Sequence, residues 1–278
     1  MSSSLIISIY KLYAELPLLL SALAQQSHIP DEIIFAEDAI SEDTIKILSS
    51  ESKKYPHLRL RLVQHEDRGF RKAEIVNKAV ALASHDQLIF LDGDCLPHRH
   101  YIRSYVENLG AGKLLNARPV YLKEECRSMF VGPEHQFIMP ATVSIVINAF
   151  NGNSYAVYFP WIPVRQRNSA MRGSSWACLK EDFIKVNGFD EYFCDLGYGY
   201  EDIDMSHRLN RLGVQCFVPK NRVIYYHFGE AGQGESKATA LGATKAHLAM
   251  NDQKGLLACA KGMNQWCGKI DFSWVSER

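Results

Sequence analysis

Short apolar runs alternate with amphipathic stretches through the first hundred residues of the chain. Runs rich in β-branched residues are typical of buried strands, whereas apolar positions that repeat every three or four residues are typical of helices. The pattern predicts strands at 5–9, 32–36, 58–63 and 87–91, and helices at 17–26, after Ser41 and at 72–83. This alternation predicts an α/β fold with a mostly parallel central sheet and helices on both faces.

The pattern weakens from 113 to 172, where strand-like pieces such as 143–147 mix with Gly, Asn and Pro. Further on, it predicts helices at 181–186 and 201–212, the second stopped by Gly213, and strands at 215–218 and 223–226. The tail from residue 236 is expected to be mainly helical. Because no long linker or internal repeat interrupts the chain, we expect one domain over 1–230, with halves at 1–112 and 113–230, and an extension over 231–278.

Composition narrows the classes of protein that fit. The 278 residues carry 31 Lys and Arg against 31 Asp and Glu, so the charge balance does not favour nucleic acid as a partner. The seven cysteines are odd in number and include no C-x-x-C pair, which argues against a disulfide framework or a cysteine zinc site. The longest apolar stretch, near 16–24, is too short to span a bilayer. Residues 1–4, which precede the first apolar run, carry no charged side chain of the kind that begins a secretory signal. We expect a cytoplasmic protein, with contact at the inner face of the membrane left open.

Acidic residues stand directly after two predicted buried strands, at the sheet edge where ligands bind in such folds. Glu37 and Asp38 follow the second strand, and Asp92 and Asp94 follow the fourth. Residues two apart in an extended chain point to the same side, so Asp92 and Asp94 can aim at one point, and Gly93 leaves room for a ligand. A hard cation such as Mg²⁺ or Mn²⁺ relieves the repulsion between such carboxylates. The alternative is a polar turn without a ligand.

Glu201 and Asp202 open the predicted helix at 201–212, after Tyr198 and Tyr200 in a glycine-containing loop. A carboxylate held at such a loop can act as a general base toward a hydroxyl group, and the tyrosines can stack on a sugar ring. Simple capping of the helix N-terminus is the alternative.

Other candidate residues are weaker by themselves. His227 ends a strand-like run, and a lone histidine is more often structural than a metal ligand. Arg68, Arg71 and Lys72 cluster before a helix, where they can face a diphosphate or simply be solvated. The chain has no G-x-G-x-x-G after its first strand, which argues against a dinucleotide-dependent dehydrogenase. It also has no G-x-x-x-x-G-K-[ST] phosphate-binding loop and no G-x-S-x-G nucleophile elbow.

Taken in order, these motifs resemble those of the family 2 glycosyltransferases of the GT-A fold, over roughly residues 4–230. The family's D-D-G-S turn is similar to E-D-A-I-S at 37–41, although the glycine is absent and one residue is extra. The segment 68–78 resembles the family's basic helix start, and the D-G-D at 92–94 matches its D-x-D. The segment 186–191 resembles its acceptor-side G-G-F-D-E, with Asn187 in place of the first glycine.

The second half looks closer to a galactosyltransferase-like module that also occurs in bacterial chondroitin-type polymerases. The segment 200–209 resembles the E-D motif before a helix, which in that module binds the acceptor and provides the base. A histidine about 25 residues later binds the metal there, and His227 falls at that distance from Asp202.

The resemblance implies an inverting, metal-dependent hexosyltransferase that moves a sugar from a nucleotide-sugar donor, with a UDP-sugar favoured, in bacterial surface polysaccharide synthesis. The acceptor would be an oligosaccharide or a lipid-linked glycan, and 1–112 and 113–230 would be the nucleotide-binding and acceptor-binding halves. Asp202 would be the catalytic base, and Asp94 and His227 would hold Mn²⁺ or Mg²⁺. Donor contacts would come from Glu37, Asp38, Arg68, Arg71, Lys72 and Asp92, and acceptor contacts from Glu201, Trp176, Tyr198 and Tyr200.

Two alternatives remain open from the sequence. A degenerate scaffold would make the chain a non-catalytic carbohydrate-binding or assembly subunit, which would account for the altered turn at 37–41. A sugar nucleotidyltransferase would use a related sheet, although the glycine-rich loop of those enzymes is missing after the first strand.

Overall fold

Strands and helices alternate through the first half of a computed structural model, which describes residues 2–151, 153–167, 171–197, 199–229 and 237–276. The strands, in chain order, are β1 (Ser3–Ile9), β2 (Glu32–Glu37), β3 (Leu60–Gln64), β4 (Gln87–Asp92), β5 (Cys95–Pro97), β6 (Lys113–Asn116), β7 (Val120–Leu122), β8 (Ala149–Asn151), β9 (Arg165–Gln166), β10 (Ser175–Leu179), β11 (Gln215–Val218), β12 (Tyr225–Phe228) and β13 (Trp274–Val275). The helices are α1 (Leu16–Ala24), α2 (Glu42–Lys54), α3 (Lys72–Leu82), α4 (Tyr101–Asn108), α5 (Thr142–Asn148), α6 (Lys180–Lys185), α7 (Tyr192–Leu196), α8 (Glu201–Arg211) and α9 (Lys237–Gln253).

The central sheet has the strand order β13-β3-β2-β1-β4-β10-β6-β11-β9 over the described ranges. Its four strands β3, β2, β1 and β4 run parallel, so their carboxyl ends meet at one edge. β10 runs antiparallel between β4 and β6, and this places its start beside the end of β4. A smaller sheet of order β5-β12-β7-β8 packs near that edge and brings β12 against the chain that leaves β4.

The core lies on both faces of the central sheet. Along β1, Leu5, Ile7 and Ile9 belong to one apolar cluster, which includes side chains of α1 and α4. Ile6 belongs to a second cluster on the other face, with side chains of α3, α6 and α8. Because full burial of such an aliphatic side chain stabilises by about 1.5–3 kcal/mol, this alternation fixes which face each helix covers. The predicted arrangement of helices on both faces is confirmed.

The start of α2 agrees with the helix that the sequence predicts after Ser41. Ser41 is the N-cap of α2, and its hydroxyl accepts a hydrogen bond from the Thr44 amide at 3.2 Å, as expected. None of the helices in the described part of the chain combines the length and the apolar character that crossing a bilayer would need.

The stretch 143–147 is a helix, α5, and the strand expected there is wrong. A strand would place Val143, Ile145 and Ile147 on one face, but Ile145 is buried while Val143 and Ile147 are 70% and 75% exposed. Burial here follows the helical spacing, and tertiary context overrides the strand preference of β-branched residues.

The tail is mainly helical at its start, in α9, and then returns to the central sheet. Trp274 and Val275 of β13 pair with β3, and the Ser273 amide donates to the Leu62 carbonyl at 2.8 Å. The described part of the extension, residues 237–276, is therefore joined to the central sheet through β3, which lies within residues 1–112.

The Asn187–Gly188 turn yields a test of packing. Gly188 has a φ of +70°, and a Cβ there would lie 2.4 Å from Asn77 Oδ1 and 2.8 Å from a Phe183 ring carbon. We expect Gly188→Ala to lower the free energy of unfolding by about 2 kcal/mol or more, since strain and overpacking add. Gly110→Ala is the control, because nothing lies within 4 Å of a Cβ at Gly110. Equal urea midpoints for the two variants would contradict this account.

Candidate active site

One crevice at the carboxyl ends of β1 and β4 gathers acidic residues that are far apart in the chain. Its cavity volume is about 880 Å³. The residues predicted from the sequence that line it are Asp38, Lys72, Asp92, Asp94, Glu201, Asp202 and His227. The carboxylates around positions 38, 94 and 202 thus share one cavity.

Asp92 is placed by the register between the two central strands. Asp92 pairs with Ser8 of β1 across the parallel ladder, and its Oδ1 accepts from Ser8 Oγ at 2.7 Å and from Lys72 Nζ at 2.5 Å. Burial alone would lower the pKa of Lys72, but the adjacent Asp92 carboxylate raises it well above its usual value. Lys72 therefore stays charged and partly neutralises the acidic wall.

Asp38 lies at the end of β2 and is held from two sides. Its Oδ1 is 2.6 Å from His65 Nε2, and its Oδ2 accepts from the Arg71 amide at 2.7 Å. Burial would lower the pKa of His65, but its contacts with Asp38 and Glu74 raise it above its usual value. The carboxylate is fixed in orientation although the D-D-G-S turn is altered.

Glu37 does not reach the crevice, which corrects the expected donor contact. Adjacent residues at a strand end point to opposite sides, and Glu37 is fully buried away from Asp38. Thr44 Oγ1 and Gln64 Nε2 donate to its carboxylate at 2.8 and 2.6 Å. Burial raises the pKa of Glu37, and its role is to join β2, β3 and α2.

The side chains of Arg68 and Arg71 also lie outside the crevice lining, contrary to expectation. Arg68 is exposed and donates to Glu66 at 2.9 Å, while Arg71 forms a paired contact with Glu74. Each arginine is satisfied by an acid two or three residues away. Of the three cations in this segment, only Lys72 lines the crevice.

Asp94 and His227 face each other across the crevice mouth. β12 pairs with β5 so that His227 stands opposite Cys95, and Asp94 Oδ2 lies 3.6 Å from His227 Nε2. Cys95 Sγ is also close, but the thiol is buried and its pKa is raised well above the usual value, so it stays protonated. One carboxylate and one imidazole fit Mn²⁺ or Mg²⁺ if further oxygen ligands come from a bound molecule and water.

Gly93 is required for a different reason from the one expected. A Cβ at this position would lie 2.4 Å from Ile9 Cγ2 and 2.9 Å from Leu12 Cδ1. The close approach is therefore between the D-G-D turn and the end of β1, and Gly93 also lines the crevice.

Glu201 and Asp202 begin α8 after Tyr200, which has a left-handed φ of +71°. Asp202 Oδ2 accepts from the Gly173 amide at 2.8 Å, whereas Glu201 Oε2 is buried without a partner among the described residues. Burial raises the pKa of both carboxyls, that of Glu201 to about 7, with the neighbouring Asp202 adding to the shift and Lys72 opposing it. Such perturbed acids in a cleft are typical of functional sites.

The aromatic residues expected at the acceptor side are not all there. Trp176 is 1% exposed and stacks on Phe90 with ring centroids 3.8 Å apart, so no sugar ring can stack on it. The small cavity beside it, about 20 Å³, has room for about one water. This corrects the expected role of Trp176. Tyr200 is partly buried and not part of the crevice lining, and Tyr198 lies outside the described residues.

Two lining residues escaped the sequence reasoning. Arg172 comes just before β10, and within the described chain no carboxylate lies within 4.0 Å of its guanidinium. Tyr121 of β7 packs edge-on against His227 with centroids 5.3 Å apart. Both fall in the stretch where periodicity is weak, so no pattern marked them. His65, which holds Asp38, follows a predicted strand and was open to the same argument as Asp38.

Comparisons with known proteins agree with this geometry. Residues 4–129 match the sequence model described as glycosyl transferase family 2, and residues 156–230 match the one described as the N-terminal domain of galactosyltransferase. The resemblance to this family and to a galactosyltransferase-like second module is confirmed.

The similar proteins include two named glycosyltransferases. Validoxylamine A glucosyltransferase of Streptomyces hygroscopicus subsp. limoneus is 25% identical over 236 residues, which are 78% of this chain and 49% of that protein. The amylovoran biosynthesis glycosyltransferase AmsB of Erwinia amylovora is 24% identical over 270 residues, 90% of this chain and 80% of that protein. The chain spans about half the length of the validoxylamine A glucosyltransferases that it matches.

Solved structures support the fold. S. aureus TarS 1–349 in complex with UDP-GlcNAc superposes with a TM-score of 0.61 at 15% identity, over 96% of this chain and 69% of that one. The mannosyltransferase PcManGT from Pyrobaculum calidifontis in complex with GDP-Man and Mn²⁺ superposes with a TM-score of 0.57 at 14% identity, over 91% and 71%. The predicted GT-A fold is confirmed.

The raised pKa of Glu201 predicts a pH-dependent effect on stability. The folded state keeps the Glu201 proton up to about pH 7, whereas the unfolded carboxyl loses it near its model value of 4.5, so stability falls as pH rises between these values. We expect Glu201→Gln to raise the free energy of unfolding by about 2 kcal/mol more at pH 8 than at pH 5, because one pKa unit is worth about 1.4 kcal/mol.

Urea unfolding with a chelator present measures this difference. Glu181→Gln is the control, because Glu181 is an exposed acid near the start of α6. This substitution should change the free energy of unfolding by the same amount at both pH values. An equal gain for Glu201→Gln at pH 5 and pH 8 would contradict the account.

Proposed function

We propose that this chain is an inverting glycosyltransferase that moves a sugar from a nucleotide-sugar donor to a carbohydrate acceptor with the help of a divalent cation. The observation that carries the proposal is the convergence of Asp94, His227 and Asp202 in one crevice. Two candidate metal ligands and a carboxylate whose pKa is raised by burial line the same cavity, and this arrangement suits a displacement between a diphosphate and a hydroxyl.

The donor would occupy the side formed by β1, β2 and β4. Asp38 would accept a hydrogen bond from the nucleotide base, with uracil favoured, and Asp92 would contact the ribose or the shell of the ion. Lys72 and Arg172 would face the diphosphate, since they are the cationic side chains described in the lining besides His227. Asp94 and His227 would hold Mn²⁺ or Mg²⁺, which supplies charge neutralisation to the departing nucleoside diphosphate.

The acceptor would approach from the side of α8. The Asp202 carboxylate would take the proton of the acceptor hydroxyl as its oxygen bonds to the anomeric carbon and the bond to the diphosphate breaks. Attack from the face opposite the leaving group inverts the configuration, so an α-linked donor gives a β-linked product. Glu201 would orient the acceptor through its buried carboxyl.

The acceptor class and cellular setting follow from the same proposal. An oligosaccharide or lipid-linked glycan fits a crevice of this size, and the similarity to AmsB, an amylovoran biosynthesis glycosyltransferase, supports a place in bacterial polysaccharide assembly. We propose that residues 1–112 bind the nucleotide and 113–230 the acceptor, in a cytoplasmic protein that works at the inner face of the membrane when the acceptor is lipid-linked.

A change at Asp202 tests the catalytic base. We expect Asp202→Asn to slow nucleoside diphosphate release from the best of a panel of nucleotide sugars by about 10²–10⁴-fold, because a general base contributes about that much. The affinity for UDP, measured by calorimetry with Mn²⁺, should stay within about twofold, since binding does not need the base. Asp43→Asn is the control at an exposed acid on α2. Near-normal turnover of Asp202→Asn would overturn the assignment.

Changes at Asp94 and His227 test the two candidate metal ligands separately from the base. We expect Asp94→Asn and His227→Ala each to weaken Mn²⁺-dependent UDP binding by at least about tenfold, because each removes one of two protein ligands. Binding of UDP in the presence of a chelator should not change, and Asp43→Asn should behave like the parent. Unchanged Mn²⁺ dependence in both variants would place the ion elsewhere.

The same release assay separates the alternatives. A non-catalytic subunit would release no nucleoside diphosphate from any donor, and a nucleotidyltransferase would release pyrophosphate from a nucleoside triphosphate and a sugar phosphate. The altered turn at 37–41 was the reason to consider a degenerate scaffold, and Asp38 nevertheless lines the crevice.

A further inference from the structure

The tail helix α9 contacts the helix that carries Glu201 and Asp202, although the tail from residue 231 lies outside both family matches. α9 packs against α7 and α8, and it meets α8 at Asp204, which is not among the residues that line the crevice. The contacts that the tail makes with α8 therefore come from outside the two matched segments.

Asn251 lies at the centre of these contacts. Its side-chain amide donates to Asp190 Oδ2 at 3.1 Å and to Asp204 Oδ1 at 2.8 Å. His247, one turn earlier on α9, places Nε2 2.8 Å from the same Asp190 oxygen. Asp190, Asp204 and Asn251 are each about 2% exposed or less. Two buried carboxylates require hydrogen-bond donors, and α9 supplies donors to both of them.

Asp204 links this network to the crevice through the geometry of α8. Residues two apart on a helix point about 200° apart, so Asp202 and Asp204 lie on opposite faces. Asp204 faces α9 and also binds Arg208, which donates to the Val186 and Gly188 carbonyls. When Asp204 is held on that side, Asp202 points into the crevice.

The start of α8 needs such support because its backbone is strained. Tyr200 adopts a φ of +71°, a conformation that costs a non-glycine residue free energy unless its surroundings hold it. Gly197 and Gly199 before it also have positive φ. Leu241 of α9 packs on this loop, since a Cβ at Gly199 would lie 3.0 Å from Leu241 Cδ2.

We propose that Asn251 and His247 are positioning residues for glycosyl transfer, because they hold Asp204 and Asp190 and so fix the first turn of α8 with Asp202 directed at the acceptor. This inference rests on the proposed function. It assigns to the tail a role in orienting the base, without contact to donor, acceptor or metal.

A second contact between α8 and α9, made by Asp252 at the other end of α8, provides the control for Asn251. Asp252 follows Asn251 and binds the other end of α8, with its carboxylate 3.0 Å from His207 Nδ1 and 2.5 Å from Arg211 Nη2. Its loss should weaken the α8–α9 contact without freeing the first turn.

The experiment compares the full-length variants Asn251→Ala and Asp252→Ala. For Asn251→Ala we expect turnover of the nucleotide sugar to fall by at least about tenfold, while UDP affinity with Mn²⁺ stays within about twofold. Asp252→Ala should keep turnover within about threefold of the parent, at a similar change in thermal midpoint. Equal losses of turnover in the two variants, or a parallel loss of UDP affinity in Asn251→Ala, would overturn the proposal.

His247 provides a second pair of variants that does not depend on Asn251→Ala folding. Glutamine can place an N–H where His247 Nε2 lies, so His247→Gln should keep most of the turnover that His247→Ala loses. Equal turnover in these two variants would also overturn the proposal.

Hydrogen exchange without substrate keeps this test independent of the proposed function. In Asn251→Ala we expect faster exchange at the amides of 203–206, with α3 unchanged. If the parent releases no nucleoside diphosphate from any donor, the proposed function fails, and the exchange result still decides whether Asn251 fixes the first turn. Unchanged exchange at 203–206 would overturn the positioning role.

Discussion

Electrostatic repulsion in the crevice is the constraint on which the rest of the structure depends. Five carboxylates line one cavity, those of Asp38, Asp92, Asp94, Glu201 and Asp202. Two unit charges about 4 Å apart near a protein surface interact by about 4 kcal/mol, so such a group is costly unless cations or protons compensate. Lys72 takes up part of this charge, the Glu201 proton takes up another part, and the space between Asp94 and His227 suits a metal ion.

The frame has to be rigid to hold these groups together. Parallel pairing of β1 with β4 fixes Asp92 beside Ser8, and the smaller sheet fixes His227 beside Asp94. The third wall, at the start of α8, is the least regular because it follows a left-handed Tyr200. It is also the wall that receives support from outside the matched modules, through α9. The regular sheet thus forms the proposed donor side, and the tail, which lies outside both family matches, contacts the helix at the proposed acceptor side.

Much of the fold and part of the site could be predicted from the sequence. Buried parallel strands are continuous apolar runs, and the residue after such a run must lie at the sheet edge, which located Asp38, Asp92 and Asp94. Glu201, Asp202 and His227 were predicted because their motifs follow one another in the same order as the motifs of the family that the sequence resembles. Arg68 and Arg71 were expected to contact the donor. Each instead forms an ion pair with an acid nearby in the chain, Arg68 with Glu66 and Arg71 with Glu74.

The remaining differences come from long-range packing. Trp176 was expected at the acceptor as a large aromatic near the right motifs, but β10 is a central strand and its indole fills the core against Phe90. Arg172 carries no periodic signal, and only the pairing of β10 with β4 brings it to the crevice. The β-branched residues at 143–147 favour a strand by their local preference, but they form a helix, and which of them is buried depends on neighbours that are distant in sequence.

The central claim is that a cation held by Asp94 and His227 joins a nucleoside diphosphate in this crevice. Pulsed electron paramagnetic resonance of Mn²⁺ added to the protein with UDP tests it most directly. The account predicts a coupling from one imidazole nitrogen and one from phosphorus in the same complex, with the nitrogen coupling lost in His227→Ala. Mn²⁺ that shows phosphorus coupling but no nitrogen coupling in the parent protein would contradict it.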